Sequence, residues 1–334
     1  MRAWLIDGFE GIGGLRLGEL PEPVAGPGEA VLTMRYASLN PADRYLAEGL
    51  YPATPPLPHV LGRDGVGVVT AVGEGVQGVR VGETRVVLRG EAGVTRAGTF
   101  AERVAVPAEV LVDVPAGWSE TEAAGAPLVY LTAYQAITQW EGRDAMSPGQ
   151  VVLVSGASGG VGLATIHLAS AMGLVVVGLS RDGSKFDRLM AEGATLMLNP
   201  NDADWRETLY RQLGRRPVQL VVDNIAGPLF EALLETLGPR GKVSVVGRLG
   251  GPVPSFNTGS LFFRRLRVGG VAVGTYTADE SRSAWGEIVR LLTATGRRPV
   301  VDSVFEFERL PEAFERLRGG VLGKVLLRVS AGTA

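Results

Sequence analysis

Cysteine is absent from this chain, and with it go disulfides, thiolate nucleophiles and every cysteine-ligated zinc or iron–sulfur site. Histidine is almost absent, so any imidazole chemistry must use His59 or His167. Lysine occurs only at positions 185, 242 and 324, which leaves arginine as 30 of the 33 basic residues (33 less 3). No stretch approaches the roughly eighteen uninterrupted apolar residues of a membrane-spanning helix. The start, Met1-Arg2-Ala3-Trp4, reads as a strand rather than a secretory leader, so a cytosolic protein is expected. A net charge of −2 offers no basic stripe, which argues against nucleic acid as a partner.

What is present is ample material for two cores: 334 residues, 46% hydrophobic and 20% charged. The first 115 residues carry short apolar runs at 30–35, 66–72, 85–88 and 102–106, separated by turn signals such as Gly26-Pro27-Gly28-Glu29, and predict a β-rich, barrel-like unit. Between those strands lies a long segment, 40–52, with a short helical turn and a proline-rich loop running on to His59; loops of that length are more often functional than idle. A linker from Pro115 enters a helix capped by Ser119 or Thr121, and a second helical pattern covers 128–139. From Val151 the rhythm changes. Strands at 151–154, 174–179, 195–198, 218–223 and 242–247 alternate with helices at 160–172, 184–192, 203–213 and 228–237, and 267–273 supplies a sixth strand. Such alternation predicts a doubly wound parallel sheet. The remaining pattern, a helix over 281–295, a strand over 301–307, a helix over 310–317 and a strand over 323–329, does not extend that repeat. It predicts a return to the β-rich domain, which makes the α/β domain an insertion. Residues 330–334 read as a frayed end.

The apolar run Val151 to Val154 stops at Ser155-Gly-Ala-Ser-Gly-Gly-Val-Gly and a helical pattern follows, with the spacing Ala157-x-Gly159-x-x-Gly162. Small residues at Ala157, Ser158, Gly159, Gly160, Val161 and Gly162 let the backbone turn tightly beside a pyrophosphate at a helix N-terminus, the dinucleotide-binding arrangement. An NAD-specific site wants an acid at the end of the next strand. Here Ser180 and Arg181 stand there, with Lys185 five residues on, and a serine with two cations suits a 2′-phosphate. NADPH is therefore the expected cofactor, with Asp182 as a contrary sign. Asn224, Gly247, Arg248, Val271 and Val273 fall at C-terminal strand ends, where ligand and packing roles are both open. His59 and His167 read as structural, and Lys242 as the ordinary start of a strand.

Several separated motifs occur in order: Ser38-Leu-Asn-Pro-Ala-Asp-Arg-Tyr, Gly49-Leu-Tyr-Pro, Leu57-Pro-His-Val-Leu-Gly, Ala71-Val-Gly-Glu-Gly-Val, Leu131-Thr-Ala-Tyr-Gln-Ala and Gly159-Gly-Val-Gly. With the domain order, they make the chain resemble the medium-chain dehydrogenase/reductase superfamily from Met1 to Val329, in its zinc-free quinone oxidoreductase branch. The resemblance implies a GroES-like β-barrel catalytic domain (1–124 and 265–334) and an inserted NADP-binding Rossmann domain (125–264) with a six-stranded parallel sheet. It implies that Asn40, Asp43, Tyr45 and Tyr51 line the substrate side, with Asp43 a helix cap first, and that Thr132 and Lys185 serve the cofactor. It implies a homodimer through the strand at 267–273. Where zinc-dependent members have a cysteine and a Gly-His-Glu, this chain has Asn40 and Gly62-Arg63-Asp64, so no metal is expected; where relatives carry a phosphate-reaching tyrosine, Pro200 stands. The implied reaction is hydride transfer from NADPH to a small-molecule quinone or α,β-unsaturated carbonyl compound. Enoyl thioester reduction, or a non-enzymatic crystallin-like NADPH-binding role, are the alternatives. A short-chain dehydrogenase is excluded because no tyrosine is followed by lysine four positions on.

Overall fold

The computed structural model describes residues 1–330, with Arg143 described by its backbone alone; residues 331–334 of the expected frayed end lie outside the described residues. The chain divides into two units. Unit 1 comprises 1–128, 276–285 and 298–334; unit 2 comprises 129–275 and 286–297. Instead of one return at 265, residues 276–285 join unit 1, 286–297 join unit 2, and the chain is in unit 1 again from Arg298. A boundary at 265 would have cut the last strand of the parallel sheet away from its neighbours.

Unit 1 begins with β1 (Arg2–Ile6), β2 (Arg16–Glu19), β3 (Glu29–Ser38), α1 (Pro41–Ala47), β4 (His59–Val60), β5 (Gly65–Val72), β6 (Thr84–Val87), β7 (Arg103–Pro107), β8 (Leu111–Asp113) and α2 (Glu120–Ala124). The helix α1 starts where Pro41 occupies the first helical turn, a position that needs no N–H donor, and where Asp43 turns back to accept from the Asn40 N–H at 2.8 Å. Ser119 caps α2.

Unit 2 takes in all but the first two residues of α3 (Pro127–Thr138) and continues with β9 (Val151–Val154), α4 (Gly160–Ala171), β10 (Val175–Leu179), α5 (Phe186–Ala191), β11 (Leu196–Leu198), α6 (Trp205–Gln212), β12 (Val218–Asp223), α7 (Leu229–Thr236), β13 (Leu237–Val245), α8 (Gly259–Arg264) and β14 (Arg267–Gly270). These six strands form one sheet in the order β11-β10-β9-β12-β13-β14, and every pairing is parallel. Its central strand reads Val-Val-Leu-Val and is buried throughout, because helices cover both faces of a parallel sheet. The core joins Val151, Leu153, Val177 and Val221 to Phe230, Leu233 and Leu234 of α7. The sixth strand stops at Gly270, three residues short of the expected end, and Val273 lies in a single 3₁₀ turn, Val273–Thr275.

The chain closes with α9 (Ala278–Thr295), β15 (Val301–Glu306), α10 (Leu310–Arg318) and β16 (Lys324–Arg328). The strand β16 pairs antiparallel with β3, with Leu326 opposite Ser38. This completes a seven-stranded unit-1 sheet, β15-β16-β3-β5-β6-β8 with β7 also on β3. That pairing carries Lys324 to the base of α1. Beside it stands a smaller sheet, β2-β1-β4. Phe100, Phe307, Phe314 and Leu32 anchor the unit's core.

Candidate functional site

In unit 2 the strand order reverses between β9 and β12, and the loops at the C-terminal ends of those strands form a ligand crevice in sheets of this kind. The turn after β9 needs two glycines for identifiable reasons. Gly156 sits at φ +61°, and a Cβ on Gly162 would lie 2.3 Å from the Gly156 carbonyl oxygen and 2.8 Å from the Ala157 Cα. The first turn of α4 is therefore pressed against the loop, leaving backbone rather than side chains to face a ligand.

Ser155 ties this turn to the next loop. Its hydroxyl donates to Asp223 Oδ1 at 2.6 Å and accepts from the Asn224 N–H at 2.9 Å. The Asn224 side-chain amide donates to the Ser155 carbonyl at 2.8 Å, while its Oδ1 is buried with no partner. A buried acceptor without a donor is costly unless a ligand supplies one, and a dinucleotide carries ribose hydroxyls and a carboxamide that can. Gly247 packs on the same loop: a Cβ there would meet the Asn224 carbonyl oxygen at 2.6 Å. Ser155, Asn224 and Gly247 are thus brought together around the glycine turn.

At the end of β10, Ser180 is buried and Arg181 is exposed. Lys185 Nζ lies 3.2 Å from the Asp182 carboxylate, which also accepts from the Ser184 hydroxyl at 2.6 Å. Asn199, beside Pro200, spends its Oδ1 on the N–H of Asn201. Thr132 lies half-buried on α3, and Arg248 in the loop after β13. Val271 continues past β14, its N–H on the Val245 carbonyl at 2.9 Å.

The two histidines are structural in surroundings. His167 is buried on α4, its Nδ1 2.8 Å from the Tyr130 hydroxyl and its Nε2 2.8 Å from Glu192, and burial holds its pKa down. His59 is buried in β4 opposite Ile6, and burial again lowers its pKa. Lys242, expected as an ordinary strand start, is instead buried. Its Nζ donates to the Asp144 carbonyl, and the Asp144 side chain pairs with Arg240 and Arg267.

Unit 1 holds a closed cluster of buried charge. Lys324 Nζ donates to Asn40 Oδ1 and to the Leu39 carbonyl, both at 2.7 Å. The Asn40 amide donates to Asp64 Oδ1 at 2.9 Å and to the Ser38 carbonyl at 3.3 Å. The second Asp64 oxygen accepts from the Leu128 N–H at 3.2 Å. Asp43 accepts from Arg63 Nε at 3.3 Å, and Arg63 Nη1 donates to the Tyr51 hydroxyl at 3.0 Å with its guanidinium 4.3 Å from the tyrosine ring centre. Asn40, Asp43, Asp64, Arg63 and Lys324 are all buried. Two carboxylates and two cations balance, as groups withdrawn from water must. Burial pushes the Asp43 carboxyl up to about 6, against the pull of Arg63 and the Asn40 N–H, and raises Asp64. Burial also lowers Lys324, opposed by Asp64 and Asp43.

This geometry revises one expectation. An Asn40 amide N–H offered to a substrate oxygen is not what the cluster leaves: both amide hydrogens are committed and the oxygen is held by an ammonium. Its orientation is fixed by charge, Oδ1 toward Lys324 and Nδ2 toward Asp64. Asn40 is held in one orientation by these bonds. Asp43 is the expected cap and also Arg63's anchor. Tyr45 stays half-buried on α1 with the Arg44 guanidinium 5.1 Å from its ring centre. Tyr51 is tied to the cluster through Arg63. The residues that sequence reasoning missed are Lys324 and Arg63. A lysine inside the apolar run of 323–329, in a chain with only three, was the available signal for the first.

A two-unit chain with a parallel doubly wound sheet, a small-residue turn and an unsatisfied acceptor at its switch point is the architecture of a dinucleotide-dependent oxidoreductase. Comparison with known proteins agrees. Residues 26–116 match the family model described as the alcohol dehydrogenase GroES-like domain, and residues 160–294 the one described as zinc-binding dehydrogenase. The chain is 31% identical to the human synaptic vesicle membrane protein VAT-1 homolog over 98% of its own length and 86% of that protein's. It superposes on a crystal structure of an NAD-dependent alcohol dehydrogenase with a TM-score of 0.90, at 31% identity, covering 99% of this chain and 100% of the other. Against the Escherichia coli quinone oxidoreductase crystallised with NADPH the TM-score is 0.88, at 25% identity, covering 98% and 100%. The chain belongs to the medium-chain dehydrogenase/reductase superfamily, in its zinc-free quinone-oxidoreductase-like branch. It is an oxidoreductase of that kind. Despite the name of the relative, no helix among the described residues is long and apolar enough to cross a membrane.

Proposed function

We propose that the protein is an NADPH-dependent, zinc-independent reductase of quinones or α,β-unsaturated carbonyl compounds. The observation that carries the metal-free reading is the Lys324 ammonium seated on Asn40 within a charge-balanced cluster. A dication bound by Asp64 and Asp43 would face the Arg63 guanidinium directly and that ammonium across the Asn40 side chain, and Coulomb repulsion there costs several times what it does in water. Ser180, Arg181 and Lys185 support a cofactor with a 2′-phosphate; of the two similar structures, one carries NADPH and the other is named NAD-dependent, so the reading rests on these three residues.

When bound, the nicotinamide supplies the hydride. The chain's own part is to hold the dinucleotide on the glycine turn and Asn224, and to present a hydrogen-bond donor to the acceptor's oxygen as charge develops on it. Tyr51 suits the donor role, because its hydroxyl accepts from a guanidinium and keeps its own hydrogen to give. Arg63 and Asp43 position it. The assembly we propose is a homodimer. The strand β14 is a sheet edge with Val268 exposed, and Phe262 and Phe263 are exposed just before it, a surface that a second copy would cover.

The test is steady-state oxidation of NADPH by a panel of quinones, enals and enoyl thioesters, on protein dialysed against a chelator. Turnover with quinones or enals that survives chelation is expected. Loss of activity restored by zinc removes the metal-free reading, and nucleotide binding without turnover on any acceptor favours the crystallin-like role.

A further inference from the structure

The turn after β10 contains a carboxylate that competes for the groups a 2′-phosphate would use. Asp182 accepts from the Ser184 hydroxyl at 2.6 Å and from the Ser184 N–H at 3.1 Å, and lies 3.2 Å from Lys185 Nζ. Its backbone closes the turn, the Asp182 N–H on Ser180 Oγ at 3.3 Å and Ser180 Oγ on the Asp182 carbonyl at 3.4 Å. Carboxylate and phosphate make the same demand on their surroundings: acceptor-only oxygens seeking N–H, O–H and ammonium donors. Hydroxyl, amide and ammonium are all gathered here on one side chain.

We infer that Asp182 sets how strongly this protein discriminates NADPH from NADH, by occupying the partners of a 2′-phosphate and opposing its charge. The inference rests on the NADPH reading above and refines it. The side chain of Asp182 is 49% exposed, so its ion pair with Lys185 is weak and is readily exchanged. What survives the exchange is a carboxylate beside a doubly charged group. The Ser184 and Lys185 hydrogen bonds hold Asp182 below the usual carboxylate range, so it is anionic throughout neutral pH. The structure thus combines a cation suited to the phosphate with an anion that blunts it. The outcome is a protein that takes both dinucleotides with a smaller preference than Lys185 alone would give.

The test needs no turnover. Calorimetry compares 2′,5′-ADP with 5′-ADP, which differ only in the 2′-phosphate, on the wild type, Asp182→Asn, Asp182→Ser and Lys185→Ala. Asp182→Asn keeps the shape and an acceptor for Ser184. It is expected to tighten 2′,5′-ADP by about threefold to tenfold while 5′-ADP moves less than about twofold. The gain should shrink as added salt shortens the Debye length. Asp182→Ser, which removes the charge but keeps a hydroxyl oxygen to accept from Ser184, should show the same direction. If both substitutions leave the ratio of the two affinities unchanged or lower it, the inference is overturned. The NADPH reading fails separately: Lys185→Ala would leave 2′,5′-ADP affinity where it was.

Discussion

Two buried side chains, Asp43 and Lys324, set most of what can be measured at single positions. The folded Asp43 carboxyl is raised to about 6 from an ordinary 3.8, chiefly by burial. Between those values the native protein binds more protons at this site than the unfolded chain, so its contribution to stability declines as pH rises through the window. Asp43→Asn removes that dependence. Relative to the variant, the wild type is expected to lose about 2 kcal/mol between pH 4 and 6, read as the difference between the two urea-midpoint profiles. Lys324→Met strands Asp64 and the Asn40 oxygen without their cation and is expected to cost about 3–5 kcal/mol in urea unfolding; a change below about 1 kcal/mol would contradict the buried cluster. Tyr51→Phe keeps the ring under Arg63 but deletes the hydroxyl. Turnover should fall about a hundredfold with nucleotide affinity unchanged, and an unaltered kcat would shift the donor role to Tyr45 or water.

Among the elements, the glycine turn is the least tolerant. Gly162→Ala sets a Cβ against two backbone atoms, which cannot move as a flexible side chain would. A loss of at least about 2 kcal/mol is expected, together with weakened nucleotide binding, by thermal melt and calorimetry. This element was fully legible in the sequence, because an apolar run, small residues and a helical period stand side by side. The parallel strands were legible for the same reason. The short unit-1 strands β2, β4 and β8 were not, since none has an apolar run or enough alternations to make a period. Helix α8 was missed too, its Leu261, Phe262 and Phe263 giving apolar content without a face. The charge cluster was legible only in pieces. Arg63-Asp64 stood out as a departure from a metal motif, but its partner Lys324 comes some 260 residues later, and only the pairing of β16 with β3 brings the two together.

For the whole molecule, the return of the chain to the first unit was readable from the break in strand–helix alternation after Ala278, and its position was not. The sheet edge at β14 carries the prediction that belongs to this scale. Val268→Arg with Phe263→Glu should convert a dimer to a monomer in light scattering; a wild-type monomer would sink the dimer proposal outright. The scarcity of lysine has its own consequence for handling this molecule. Lys242 and Lys324 are buried, and the Lys185 side chain retains 17% exposure. Acylating reagents aimed at ε-amines therefore have one reachable target, and it lies in the turn proposed to hold the 2′-phosphate. Mild acylation read by peptide mass spectrometry should modify Lys185 ahead of the other two, with 2′,5′-ADP slowing it, so that a general amine label becomes a reporter of one binding site.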